Sequence, residues 1–131
     1  CAYSVTPGGV RRLTVSQTAR VAEYQKTAAR TGDQTLIIRR DFRNNKHSPY
    51  GYGVFTGESC ALDWVEHGRQ PLSVGQAVAL TTDGLTPYLD RFPERLAENS
   101  PEVILDEAEA LDEEFHLRSD DKALILIRVS R

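Results

Sequence analysis

The nine residues Ala77 to Leu85, AVALTTDGL, constrain this chain more than any other stretch. Ala77, Val78, Ala79 and Leu80 form an apolar run without polar alternation, the pattern of a strand covered on both faces rather than one lying along solvent. Thr81 and Thr82 extend it, and the run then stops at Asp83-Gly84. A carboxylate at a strand end, followed by glycine where the backbone turns away, presents an acidic side chain to a ligand or metal. A simple Asp-Gly turn accounts for the same two residues.

A second stretch mirrors the first. Ser119-Asp120-Asp121-Lys122 precedes Ala123-Leu124-Ile125-Leu126-Ile127-Arg128-Val129, so two carboxylates enter a β-prone run instead of leaving one. Were the two strands antiparallel neighbours, Asp83 and Asp121 would stand at one rim of a sheet. Two carboxylates at one rim suit a hard divalent cation such as Mg²⁺ or Mn²⁺.

These landmarks, in this order, resemble the C-terminal part of the metal-dependent, type 2C serine/threonine protein phosphatases. In that family a strand ends in Ser/Thr-Asp-Gly, and a final strand opens with Asp-Asn or, in bacterial members, Asp-Asp. Leu72-Ser73-Val74-Gly75-Gln76 leads into the first landmark here, and Gly51-Tyr52-Gly53-Val54-Phe55-Thr56-Gly57 is similar to the segment that bacterial members place upstream of it. Cys1-Ala2-Tyr3-Ser4-Val5 is similar to the strand that follows a Gly-Asp pair in the family. The resemblance spans nearly the whole chain and corresponds to the second half of the family's fold.

The resemblance implies an α+β chain, with an antiparallel β-sandwich and flanking helices, here in part. It implies hydrolysis of phosphoserine or phosphothreonine in a phosphoprotein substrate, by a water activated at two Mn²⁺ or Mg²⁺ ions. Asp83 and Asp121 map onto two of the metal-binding aspartates, with Asp120 as a neighbour; Lys122 stands where eukaryotic members commonly carry asparagine. The family also uses an N-terminal Asp-Gly-x-Gly stretch, an upstream arginine and nearby acids, none of which is in this sequence. The expectation is an enzyme whose N-terminal half is a missing or separate piece, the isolated chain being inactive. The alternative is a non-catalytic binding or regulatory module built on a phosphatase-like fold.

Composition sets the outer bounds. At 131 residues, 40% apolar and 27% charged, the chain is expected to form a single soluble domain without membrane insertion. A formal charge of −3 provides no basic face for nucleic acid. Cys1 and Cys60 make neither a disulfide framework nor a zinc spacing, and no leader-like segment is present, so a cytoplasmic protein is expected. The lack of methionine and the initial cysteine suggest a fragment.

Elsewhere the chain reads as elements. Tyr3 and Val5, then Val10, Leu13 and Val15, flank Pro7-Gly8-Gly9 as a hairpin. Arg11 and Arg12 on it are either a phosphate-binding pair or a charged strand edge. Ser16 caps a helix to about Arg30 that uses Val21, Tyr24 and Ala28 and closes at Gly32; Asp33 opens a second through Phe42, although Thr35-Leu36-Ile37-Ile38 alone would also suit a strand. Arg39, Arg40 and Arg43 form either a solvated helix face or a substrate cradle. Residues 44–50 form a loop in which His47 is an acid-base candidate without an identifiable partner. Strands are predicted at Gly53–Thr56 and Ala61–Val65, with Trp64 in the core, and short helices at Leu85–Leu89 and Phe92–Ala97. Ser100-Pro101-Glu102 starts a helix to about Leu117. Its stripe is Val103, Ile104, Ala108, Leu111 and Phe115; Asp106, Glu107, Glu109, Asp112, Glu113 and Glu114 make its acidic outer face.

Overall fold

Four short strands form the sheet of the larger unit of the chain. The computed structural model describes residues 1–17, 19–27, 33–115 and 120–130, which divide into two compact units, one of residues 1–15 and 69–131 and the other of 16–68. In the first unit, strands β1 (Ala2–Thr6), β2 (Gly9–Arg12), β3 (Ala77–Thr81) and β4 (Leu124–Arg128) form a four-stranded sheet. The order is β2-β1-β3-β4 and every pairing is antiparallel. The expected hairpin is present, its second strand ending at Arg12 rather than Val15. The chain is thus of mixed α+β class with an antiparallel sheet.

Helices cover one face of that sheet. Tyr3, Val5, Ala77 and Ala79 project toward Leu85, Tyr88, Leu89, Leu96, Ile104 and Ala108, and these ten form the buried core of the unit. They come from α3 (Thr86–Arg91), α4 (Arg95–Glu98), α5 (Pro101–Glu114) and the turn before α3. Ser100 caps α5 by accepting the Val103 N–H, and Pro101 occupies its first turn, where a missing N–H costs nothing. No described helix is long and apolar enough to cross a membrane.

The opposite face differs from the reading of β3 as covered on both sides. Val78 lies directly across from Ile127 and Leu80 from Ile125, and Leu80, Ile125 and Ile127 are 41%, 59% and 51% exposed. β3 is therefore apolar on both faces, with helices of this unit on one of them.

The second unit is organised around aromatic contacts. Val21 of α1 (Ala19–Thr27) is buried with Ile38 and Phe42, against which Tyr24, Tyr50 and Tyr52 pack. Tyr24 meets Phe42 edge-on with ring centroids 4.8 Å apart. The helix predicted from Asp33 is α2 (Gln34–Ile37), continued by a wider π-type turn over Ile38–Phe42 that places both Ile38 and Phe42 in the core. The predicted end at Arg30 and Gly32, and Ala28 of its stripe, lie outside the described residues.

Neither strand predicted for this unit forms. Gly53–Thr56 forms no ladder, and Ser59–Trp64 is a 3₁₀ helix. Side chains take the hydrogen bonds a neighbouring strand would have taken. Gln17 accepts from the Gly53 N–H (2.9 Å) and donates to the Trp64 carbonyl (2.9 Å). Asn44 accepts from the Val54 N–H (2.8 Å) and donates to the Val54 carbonyl (2.9 Å). A Cβ on Gly53 would stand 2.2 Å from Trp64 Cβ, so glycine is what lets the indole lie on this backbone.

Candidate metal centre

Leaving β3, the chain stays extended at Thr82 and tightens at once into a 3₁₀ turn over Asp83–Leu85 that runs into α3. Leu85 is fully buried and anchors the turn from below, which fixes the backbone that carries Asp83 at the surface. Opposite it, Asp121 lies in the segment leading into β4 and is exposed as well. Thr81 pairs with Leu124, so the end of β3 and the start of β4 share one rim, as the expected antiparallel arrangement requires.

Two devices hold these segments together. The Thr82 hydroxyl accepts from the Ala123 N–H (2.9 Å) and donates to the Asp121 carbonyl (3.0 Å), while the Thr82 N–H donates to the Ala123 carbonyl (3.1 Å). Gly84 does the rest. A Cβ at Gly84 would meet the Asp121 carbonyl oxygen at 2.6 Å and the Asp120 carbonyl oxygen at 3.0 Å. Its φ is outside the left-handed region, so glycine is required here for close approach and not, as the sequence suggested, to let the chain turn.

Lys122 follows Asp121 and points the other way. Its side chain is 2% exposed, and its ammonium contacts Asp112 Oδ2 of α5 at 2.5 Å and Glu109 Oε1 at 3.6 Å. It also donates to the Asp120 carbonyl at 3.3 Å. Hydrogen bonding to Asp112 raises the Lys122 pKa above its ordinary value, against the opposing effect of burial. Lys122 thus ties the lead-in of β4 to α5. Asp112 is a correction to the acidic outer face: it is buried, one turn beyond Ala108 and two beyond Ile104 on the apolar side. That i, i+4, i+8 spacing was visible in the sequence, and the residue type concealed it.

The other candidates are placed as follows. Arg12 contacts Asp90 Oδ1 at 3.4 Å and lies over the Tyr3 ring, whereas Arg11 is exposed. Arg40 pairs with the adjacent Asp41 at 2.7 Å. His47 is exposed, and its backbone N–H donates to Asn45 Oδ1 at 3.0 Å. Ser119 lies outside the described residues.

Among the described residues, no group of three or more His, Cys, Asp or Glu side chains is assembled that could hold a metal ion. The rim offers the exposed Asp83 and Asp121 on braced backbone, with Asp120 exposed beside them. Nothing matches. Comparison of the chain with protein-family models, with curated proteins and with solved structures returns no similar protein.

Proposed function

We propose that this chain provides Asp83 and Asp121 as metal ligands of a type 2C-like protein serine/threonine phosphatase site, completed by polypeptide outside residues 1–131. The observation that supports it is the packing of Gly84 against the Asp121 carbonyl, which brings two aspartate-bearing segments to one rim of the sheet. In such a site, two Mn²⁺ or Mg²⁺ ions supply a water of lowered pKa for in-line attack on a phosphoserine or phosphothreonine. Asp83 and Asp121 contribute carboxylate oxygens, and Thr82 and Gly84 set their spacing. Lys122 is held by Asp112, so its charge is directed away from the rim.

The fold supports the reading at a second point. Val78, Leu80, Ile125 and Ile127 leave an apolar sheet face that a second sheet would cover, completing a β-sandwich with flanking helices. The reading as a non-catalytic, phosphatase-like binding module draws on a different observation, that no third ligand joins the pair among the described residues.

One experiment separates the two. The chain alone is expected to bind Mn²⁺ weakly by titration calorimetry and to turn over no para-nitrophenyl phosphate. With the adjoining polypeptide supplied, Mn²⁺-dependent hydrolysis is expected to appear and to be lost on Asp83→Asn or Asp121→Asn. Activity that survives either substitution removes that residue from the site; no activity in the completed protein leaves the binding module.

A further inference from the structure

Beneath α3, at the end of the sheet where Cys1 meets Thr81, the helix-facing side holds several buried polar groups. Cys1 is half-buried there, and neither it nor Cys60 is in a disulfide. Arg12 donates from Nη2 to Cys1 Sγ at 2.8 Å, and Thr86 Oγ1 of α3 lies 3.6 Å from the same sulfur. A guanidinium in contact with a thiol favours its anionic form, which is the nucleophile.

A second, independent observation points to a ligand in this corner. The Tyr3 hydroxyl, Arg12 Nε and Thr81 Oγ1 are all buried without a hydrogen-bond partner among the described residues, and Tyr3 is only 2% exposed. Buried polar atoms without partners are costly unless water or a small polar molecule satisfies them. The three belong together. Tyr3 is the cross-strand partner of Arg12, the Arg12 guanidinium lies 5.9 Å from the Tyr3 ring centre, and the Thr81 N–H donates to the Cys1 carbonyl at 2.9 Å. Burial pushes the Tyr3 hydroxyl pKa up, Arg12 pulls it down and Asp90 pushes it up, so both charged groups act on that oxygen.

We propose that Cys1 is a peroxide-reactive thiolate, activated by Arg12, and that the Tyr3 hydroxyl, Arg12 Nε and Thr81 Oγ1 bind the small hydroperoxide it reduces. The sulfur lone pair attacks one peroxide oxygen. An S–O bond forms as the O–O bond breaks, and the departing hydroxide takes a proton from solvent and leaves as water. Sulfur is oxidised to the sulfenic acid and the peroxide is reduced. Among the described residues, Arg12 of β2 and Thr86 of α3 face the sulfur, with Tyr3 of β1 and Asp90 of α3 around Arg12. Cys60, exposed and in the other unit, is an internal control.

The test treats the chain of residues 1–131 with hydrogen peroxide, traps sulfenic acid with dimedone and quantifies each cysteine by peptide mass spectrometry. Cys1 is expected to react at least about tenfold faster than Cys60, at a rate that changes little from pH ~6 to ~8. Arg12→Gln is expected to slow Cys1 about tenfold and leave Cys60 unchanged, with Arg12→Lys recovering most of the rate. Tyr3→Phe is expected to slow the peroxide reaction while alkylation of Cys1 by iodoacetamide stays the same; equal slowing of both removes Tyr3 from hydroperoxide binding. Equal rates at the two cysteines, or a Cys1 rate that climbs about tenfold per pH unit as for an ordinary thiol, overturns the proposal. Should Arg12→Gln fail to fold, the pH profile of the unsubstituted chain decides between these outcomes.

Discussion

Gly84 and Asp121 touch backbone to backbone: a Cβ on the glycine would stand 2.6 Å from the carbonyl oxygen of the aspartate. Neither segment can yield easily, because Leu85 is fixed in the core and Asp121 is bound by Thr82. Gly84→Ala is therefore expected to destabilise the chain by about 1–3 kcal/mol, as overpacking does elsewhere. Urea titration followed by far-UV circular dichroism checks the value. The same substitution is expected to weaken any Mn²⁺ binding at the rim, since it parts the two segments without touching either carboxylate.

Lys122 and Asp112 form a contact that joins the lead-in of β4 to α5. Removing the ammonium leaves Asp112 buried beside Glu109 without its counter-charge, so Lys122→Ala is expected to cost about 1–3 kcal/mol. The pH dependence has a definite sign. The folded-state pKa of Lys122 is raised above its ordinary value of 10.5, so its contribution is complete below that pH and is lost as pH rises through the folded value. Denaturation midpoints measured across the alkaline range are expected to converge for the parent and Lys122→Ala as the pH climbs above 10.5. A constant gap between the two would dismiss the ion pair as a source of stability.

Tyr88 donates to Glu107, which also lies 3.7 Å from Arg95 and 3.4 Å from Asn99 Nδ2. Burial first, then the bond to Glu107, hold the Tyr88 hydroxyl far above its ordinary pKa of 10.0. The unfolded chain therefore releases this proton before the folded chain does, and stability falls as pH rises past 10.0. Tyr88→Phe is expected to flatten that alkaline decline while costing about 1 kcal/mol at neutral pH. Ultraviolet titration of tyrosinate in both proteins measures the difference.

In the other unit, Gln17 bridges the Gly53 N–H and the Trp64 carbonyl with one side chain. Gln17→Ala is expected to destabilise residues 16–68 by about 1–2 kcal/mol, because both part-buried backbone groups lose their partners. Trp64 is the only tryptophan, so its fluorescence reports this unit directly. An unchanged tryptophan melting curve would show that solvent replaces the bridge at no cost.

Local chemistry was legible wherever one residue type had one structural use. The Ser100-Pro101 start of α5, the apolar core of β3 and the hairpin around Pro7-Gly8-Gly9 could all be read in order along the chain. Residues 53–65 could not. Val54, Phe55, Trp64 and Val65 have the composition of strands, and only the side chains of Gln17 and Asn44, ten or more positions away, decide that their backbone needs no ladder.

The sequence by itself determined that Asp83 follows one strand and Asp121 precedes another, because apolar runs and the residues that end them are properties of neighbours in the chain. Tertiary structure alone decided that those strands are adjacent, that Gly84 is there for backbone contact, and that Asp112 leaves its acidic face to meet Lys122. Each of these depends on groups far apart in sequence. Burial selects such pairings only when the sheet and α5 have packed, since water solvates a carboxylate and an ammonium separately at little cost, whereas a charge withdrawn from water needs a counter-charge beside it.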